Sequence, residues 1–208
     1  MIRKFLCLAV LAALCAPVQA ASWRDTVTAF AEQTLKHPAW GASHSRRDYA
    51  LAKQMAAADG VTLDDDVLFA AAYLHDMAAF ARYAQKDKDH ADAAADQVDQ
   101  VLAPTDFPAA KMQAVRDAIR THMYGRDPVA PEARYLHDAD ALDWLGAIGV
   151  ARQFAMGNDP VRSIQSLMVK VPPRVVTPAG KARLPTLLAE SKAFLDALRR
   201  ESDDWADL

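Results

Sequence analysis

Residues 67–77 read VLFAAAYLHDM, an apolar run that ends on His75-Asp76. The charges of Asp64-Asp65-Asp66 just before it suit the N-terminal dipole of a helix over 64–77. Adjacent side chains on a regular helix diverge by about 100°, so His75 and Asp76 do not share a face within one. They converge only at a helix end. With Met77 and Ala78 leading out of the helix, both can lean toward an ion lying over its last turn.

Working outward, His44 lies upstream and His90, His122 and Asp140 downstream, each next to a predicted helix. The order His…His-Asp…His…His…Asp reads as a metal site. Imidazole nitrogen and carboxylate oxygen together suit manganese, iron, cobalt, nickel or zinc, and leave room for magnesium through the carboxylates. The dipeptide alone decides little, because a second His-Asp occurs at His137-Asp138. His37 and His137 read as ordinary structural histidines.

Alanine, leucine, glutamine, lysine and arginine are abundant, glycines number only seven, and no convincing alternating β-branched run occurs. The predicted fold is therefore all-α. Helices are expected near 22–36, 45–59, 64–77, 87–102, 107–123, 131–155, 160–169 and 179–201. Gly60 suits the end of the second, Pro104 closes the fourth, and Pro172-Pro173 breaks the chain before the last. No Gly/Ser linker or fixed-period repeat divides the 208 residues, which points to one domain.

Residues 1–20, MIRKFLCLAVLAALCAPVQA, have the three parts of a secretory signal: Arg3 and Lys4, an apolar run, then Val18-Gln19-Ala20 as a small-residue cleavage site. The apolar run is too short to span a bilayer. Cleavage after Ala20 leaves a domain over 21–208 without Cys7 or Cys15, destined for the periplasm or the outside of the cell, with no membrane segment afterwards. Removing Arg3 and Lys4 takes the formal charge from −3 to −5, which disfavours nucleic acid as a partner.

The segment over 135–152, YLHDADALDWLGAIGVAR, resembles the last metal-bearing helix of the HD-domain phosphohydrolase superfamily, especially its small single-domain hydrolases with a D-A-D-x-L-D-x-x-G-A-x-G segment. His44-Ser45-Arg46-Arg47, the run into His75-Asp76, HADAAADQ from His90 and IRTHM around His122 fit the same subgroup in order and spacing. The resemblance implies an all-helical bundle holding one or two divalent ions. It implies His44, His75, Asp76 and Asp140 as core ligands, with Asp138 as a substitute for Asp140. His90 and His122 would complete a second ion site, or hold substrate phosphate and protonate the leaving group. Asp143, one turn after Asp140, would hydrogen-bond a ligand or orient the water. Ala141 departs from the subgroup, where arginine is usual.

Arg47 and Lys86 are the cations placed to meet phosphate oxygens. Trp144, with Leu145, Ile148 and Val150, reads as core packing, and the small residues Gly146, Ala147, Gly149 and Ala151 as room for another helix. The last helix covers the core or a homodimer seam. The sequence carries no G-x-S-x-G elbow, P-loop, dinucleotide fingerprint or H-E-x-x-H. The implied activity is metal-assisted hydrolysis of a small phosphorylated substrate, with nucleotides the class the resemblance favours. Two other readings fit the same residues: a noncatalytic metal-binding helical module, and a di-iron oxygenase on an HD-like cage.

Overall fold

A computed structural model describes residues 21–157 and 159–202. The signal segment over 1–20 lies outside them. The described residues form ten α-helices and no strand: α1 (Trp23–Thr34), α2 (Ala42–Ala58), α3 (Asp65–Leu74), α4 (His90–Gln97), α5 (Asp99–Leu102), α6 (Met112–Arg120), α7 (Pro131–Leu142), α8 (Gly146–Met156), α9 (Pro160–Lys170) and α10 (Pro178–Glu201). None is long and apolar enough to cross a membrane.

Side-chain caps start several of them. The Ser22 hydroxyl and the Asp25 carboxylate close a capping box on α1. Asp64 accepts from the Asp66 and Val67 amides, Asp89 from Asp92, and Thr177 from Gly180. Pro131, Pro160 and Pro178 stand in first turns, where a missing N–H costs nothing.

Helix α3 is the axis of the bundle. Every residue from Val67 to Leu74 is buried, so the helix is apolar all round, with α1, α2, α6 and α7 packed against it. Full burial of a helix bearing His75 and Asp76 at its end carries those two polar side chains into the interior.

Two predicted helices are interrupted. The stretch expected over 87–102 divides at Val98, which separates α4 from α5. The stretch expected over 131–155 divides at 143–145, where the chain turns between α7 and α8. Gly146 adopts φ +66°, and a Cβ there would lie 2.8 Å from Leu187 Cδ2 and 2.7 Å from Glu190 Oε2 of α10. A Cβ on Gly149 would lie 2.2 Å from the Trp144 carbonyl. One glycine thus admits α10 and the other admits the corner itself, while Ala147 and Ala151 are exposed.

Candidate metal centre

Four helices bring their donors to one point. His44 comes from the first turns of α2, His75 and Asp76 from the end of α3, His122 from just beyond α6, and Asp140 from α7. His44 Nε2 lies 3.2 Å from His75 Nε2, 3.3 Å from Asp140 Oδ1 and 3.6 Å from Asp76 Oδ2. His75 Nε2 lies 3.4 Å from Asp76 Oδ2, so the adjacent pair does converge past the helix end. His90 Nε2 and His122 Nε2 approach the other Asp76 oxygen at 3.3 and 3.6 Å.

The outer ring nitrogens explain the orientation. His75 Nδ1 is 2.8 Å from the Ala72 carbonyl and His122 Nδ1 is 2.6 Å from the Ile119 carbonyl. His44 Nδ1 is 2.9 Å from Asp143 Oδ2. Each of these neighbours is an acceptor, so each Nδ1 carries a proton and each Nε2 faces inward. Imidazole nitrogens and carboxylate oxygens that face one another in a buried space share positive charge, as protons in the metal-free chain or as a cation among them. Two overlapping sets meet the spacing for an ion: His44, Asp48, His75 and Asp140, and His75, Asp76 and His122.

The electrostatics agree. Burial opposes charge on His44, but the Asp48 charge and contacts with Asp140 and Asp143 outweigh it and raise His44 to about 10. Burial also opposes ionisation of Asp140, yet His44 and then the His122 charge hold it down at about 2. Asp76 is likewise held well below the usual carboxylate range, against burial, by His75, His122 and His90. Burial pushes His75 down, which favours the neutral imidazole a metal needs.

Asp138 and Asp140 both are buried but face different ways. Asp138 accepts from the Val176 amide at 2.9 Å, the Thr177 amide at 2.7 Å and the Thr177 hydroxyl at 2.6 Å. Its oxygens are spent on the entry to α10, so the substitute for Asp140 is not near the cluster. His137 is similarly spent, with both ring nitrogens 3.1 Å from the Thr121 and Arg174 carbonyls.

Asp143 sits behind His44. Its carboxylate takes His44 Nδ1, the Arg47 guanidinium at 2.7 Å and Arg152 Nη1 at 3.0 Å. That leaves it holding the imidazole in place, away from any water at the open side. Arg47, expected to meet phosphate, is turned onto Asp143 instead. Lys86 is exposed and lies outside the cavity wall.

A cavity of about 560 Å³ opens onto the centre. Asp76, His90, His122 and Asp140 form its polar floor, and Trp40, Met123, Tyr124, Trp144, Met156 and Leu167 form apolar walls. Trp144 therefore faces the cavity, against the core role its sequence context suggests. Its other neighbour is Arg152, whose guanidinium lies 3.5 Å from the ring centroid. Trp40 is backed by His37, stacked at 3.4 Å. Arg162 of α9 supplies a cation at the wall.

Sequence reasoning missed Asp48, Arg152, Trp40 and Arg162. Asp48 had a readable signal, since it follows His44 by four residues and so shares its helix face. Trp40 and Arg162 come from segments with no metal motif, and Arg152, the last residue of the 135–152 segment, offers no ligand chemistry of its own.

An all-helical bundle with imidazoles and carboxylates gathered at its interior defines a class, the all-α bundles built around an interior cluster able to hold metal. The chain belongs to the HD domain family, which matches residues 41–145. Solved structures share the fold. A Lactobacillus plantarum protein is similar over 86% of this chain and 96% of its own, with TM-score 0.66 and 22% identity. A predicted HD superfamily hydrolase from an uncultured Thermotogales bacterium covers 86% and 91%, with TM-score 0.60 and 23% identity. Bacillus subtilis YpgQ, solved in complex with ADP, covers 86% and 97%, with TM-score 0.64 and 16% identity. Among curated proteins, none matches the chain.

Proposed function

We propose that the protein is an exported metal-dependent phosphohydrolase acting on a phosphate ester or phosphoanhydride, with nucleotides as its substrate class. The observation that carries this reading is the floor of the cavity, where Asp76, His90, His122 and Asp140 meet the open space. His44, His75, Asp76 and Asp140 would hold one ion; His122 and His90, facing the other Asp76 oxygen, would supply the donors for a second, and His90 is left to act on substrate where only one ion is held. A divalent ion there supplies a Lewis acid that polarises a phosphoryl oxygen and acidifies a bound water.

The remaining tasks fall to the chain. Asp143, fixed by Arg47 and Arg152, keeps the His44 proton on Nδ1. His90 has a side chain 31% exposed, beside Asp76, and is the group placed to give a proton to a departing oxygen at the cavity mouth. The aromatic and thioether walls suit a flat, apolar moiety such as a nucleobase, and the ADP held by Bacillus subtilis YpgQ is consistent with that. Arg162 supplies the wall's positive charge, a role expected of Arg47 and Lys86.

The test is phosphate release by the purified protein with manganese, magnesium, cobalt or nickel, across nucleotides and generic phosphoesters. Turnover that disappears in Asp76→Ala and Asp140→Ala supports the reading. No release with any metal rejects it and leaves a noncatalytic metal-binding module. Export rests on residues 1–20, and a mature N-terminus at Ala21 in protein recovered from its source cells would establish it.

A further inference from the structure

Asp48 is a fully buried carboxylate on α2 whose two oxygens have no hydrogen-bond partner. A lone buried carboxylate is costly, because desolvation is not returned by any bond. Its nearest groups are His44 Nε2 at 3.1 Å and His75 Nε2 at 3.8 Å, neither in hydrogen-bonding geometry with it. Asp48, His44, His75 and Asp140 each turn one donor atom toward a common point with the spacing of an ion's ligands, and Asp48 approaches it from the side away from the cavity.

We propose that Asp48 is a further ligand to the ion held by His44, His75 and Asp140, and that it tilts the site toward manganese or iron(II) over zinc. The inference rests on the metal-centre reading above. With Asp48 included, two carboxylates and two imidazoles have the spacing to surround one position, and Asp76 Oδ2 stands beside it, 3.4 Å from His75 Nε2. Zinc sites are satisfied by three or four donors, mostly nitrogen or sulfur, whereas each added carboxylate favours ions that take oxygen donors at higher coordination number. Position on the closed side also means that Asp48 is not displaced by substrate.

The measurement is direct metal binding by the full folded protein, with Mn²⁺ and Zn²⁺ titrated separately by calorimetry, for wild type, Asp48→Asn and Asp48→Val. Both variants should bind Mn²⁺ at least tenfold more weakly, the low end of what losing even an outer partner produces, with a smaller loss for Zn²⁺. Asp48→Val should gain less thermal stability than wild type when Mn²⁺ is added. Unchanged Mn²⁺ affinity in Asp48→Asn, or a metal-free Asp48→Val less stable than wild type with its metal response intact, would overturn the proposal and make Asp48 a structural partner of His44. A wild type that binds Mn²⁺ but releases no phosphate would end the hydrolase reading and leave this one standing.

Discussion

Asp138 and Asp140 are two residues apart on α7, and a helix advances about 200° over that step, so their carboxylates point to opposite sides. One holds the start of α10 and the other faces His44. Asp138→Ala should leave the Val176 and Thr177 donors without a partner and lower stability by about 3 kcal/mol in urea unfolding, while the melting temperature still rises with Mn²⁺. Asp140→Ala should abolish that rise. The opposite pattern would exchange their roles. Asp143→Asn should weaken Mn²⁺ binding by about 10–100-fold without touching the ion, because the carboxylate that fixes His44 and takes two guanidinium groups is gone. His44, His75, Asp76 and Asp140 were legible because each stands in a local pattern. Asp48 offered only its place one turn after His44, since one aspartate on a helix reads as a solvated face until its burial is known.

At the scale of elements, the corner between α7 and α8 decides where Asp143 and Trp144 sit. Gly146→Ala would place a side chain on a φ of +66° and drive it against Leu187 and Glu190. The cost of the left-handed conformation alone is about 1–2 kcal/mol, and the clash adds to it. Thermal unfolding should show the loss, whereas Gly60→Ala, with open space around the same backbone region, should lose less. Helix α3 was readable from its apolar run and acidic start. The corner was not, because the residues over 131–155 keep helical composition across it, and only the packing of α10 shows why a glycine stands there. The start of α3 also carries a pH signature. Burial opposes charge on Asp65, but Lys53, Tyr49 and Arg24 hold its pKa at about 2, below its unfolded value. The stability it contributes is present above about pH 4 and is lost as pH falls toward 2. The difference in acid unfolding between wild type and Asp65→Asn, measured without metal, should shrink over that window.

Across the whole molecule, the bundle assembles one centre from residues 44 to 140, and no single helix holds more than part of it. The all-α class was legible in sequence, and so was the pattern of histidines and aspartates that the helices gather. The cavity walls were not, because Trp40, Trp144 and Arg162 come from a turn, a corner and a late helix whose proximity depends on packing. The central claim is that distant imidazoles and carboxylates close around a shared cation. Anomalous diffraction from crystals grown with Mn²⁺ tests it most directly. The expected result is a peak enclosed by His44 Nε2, His75 Nε2, Asp76 and Asp140. Manganese bound elsewhere, with those four side chains left without an ion, would contradict the account.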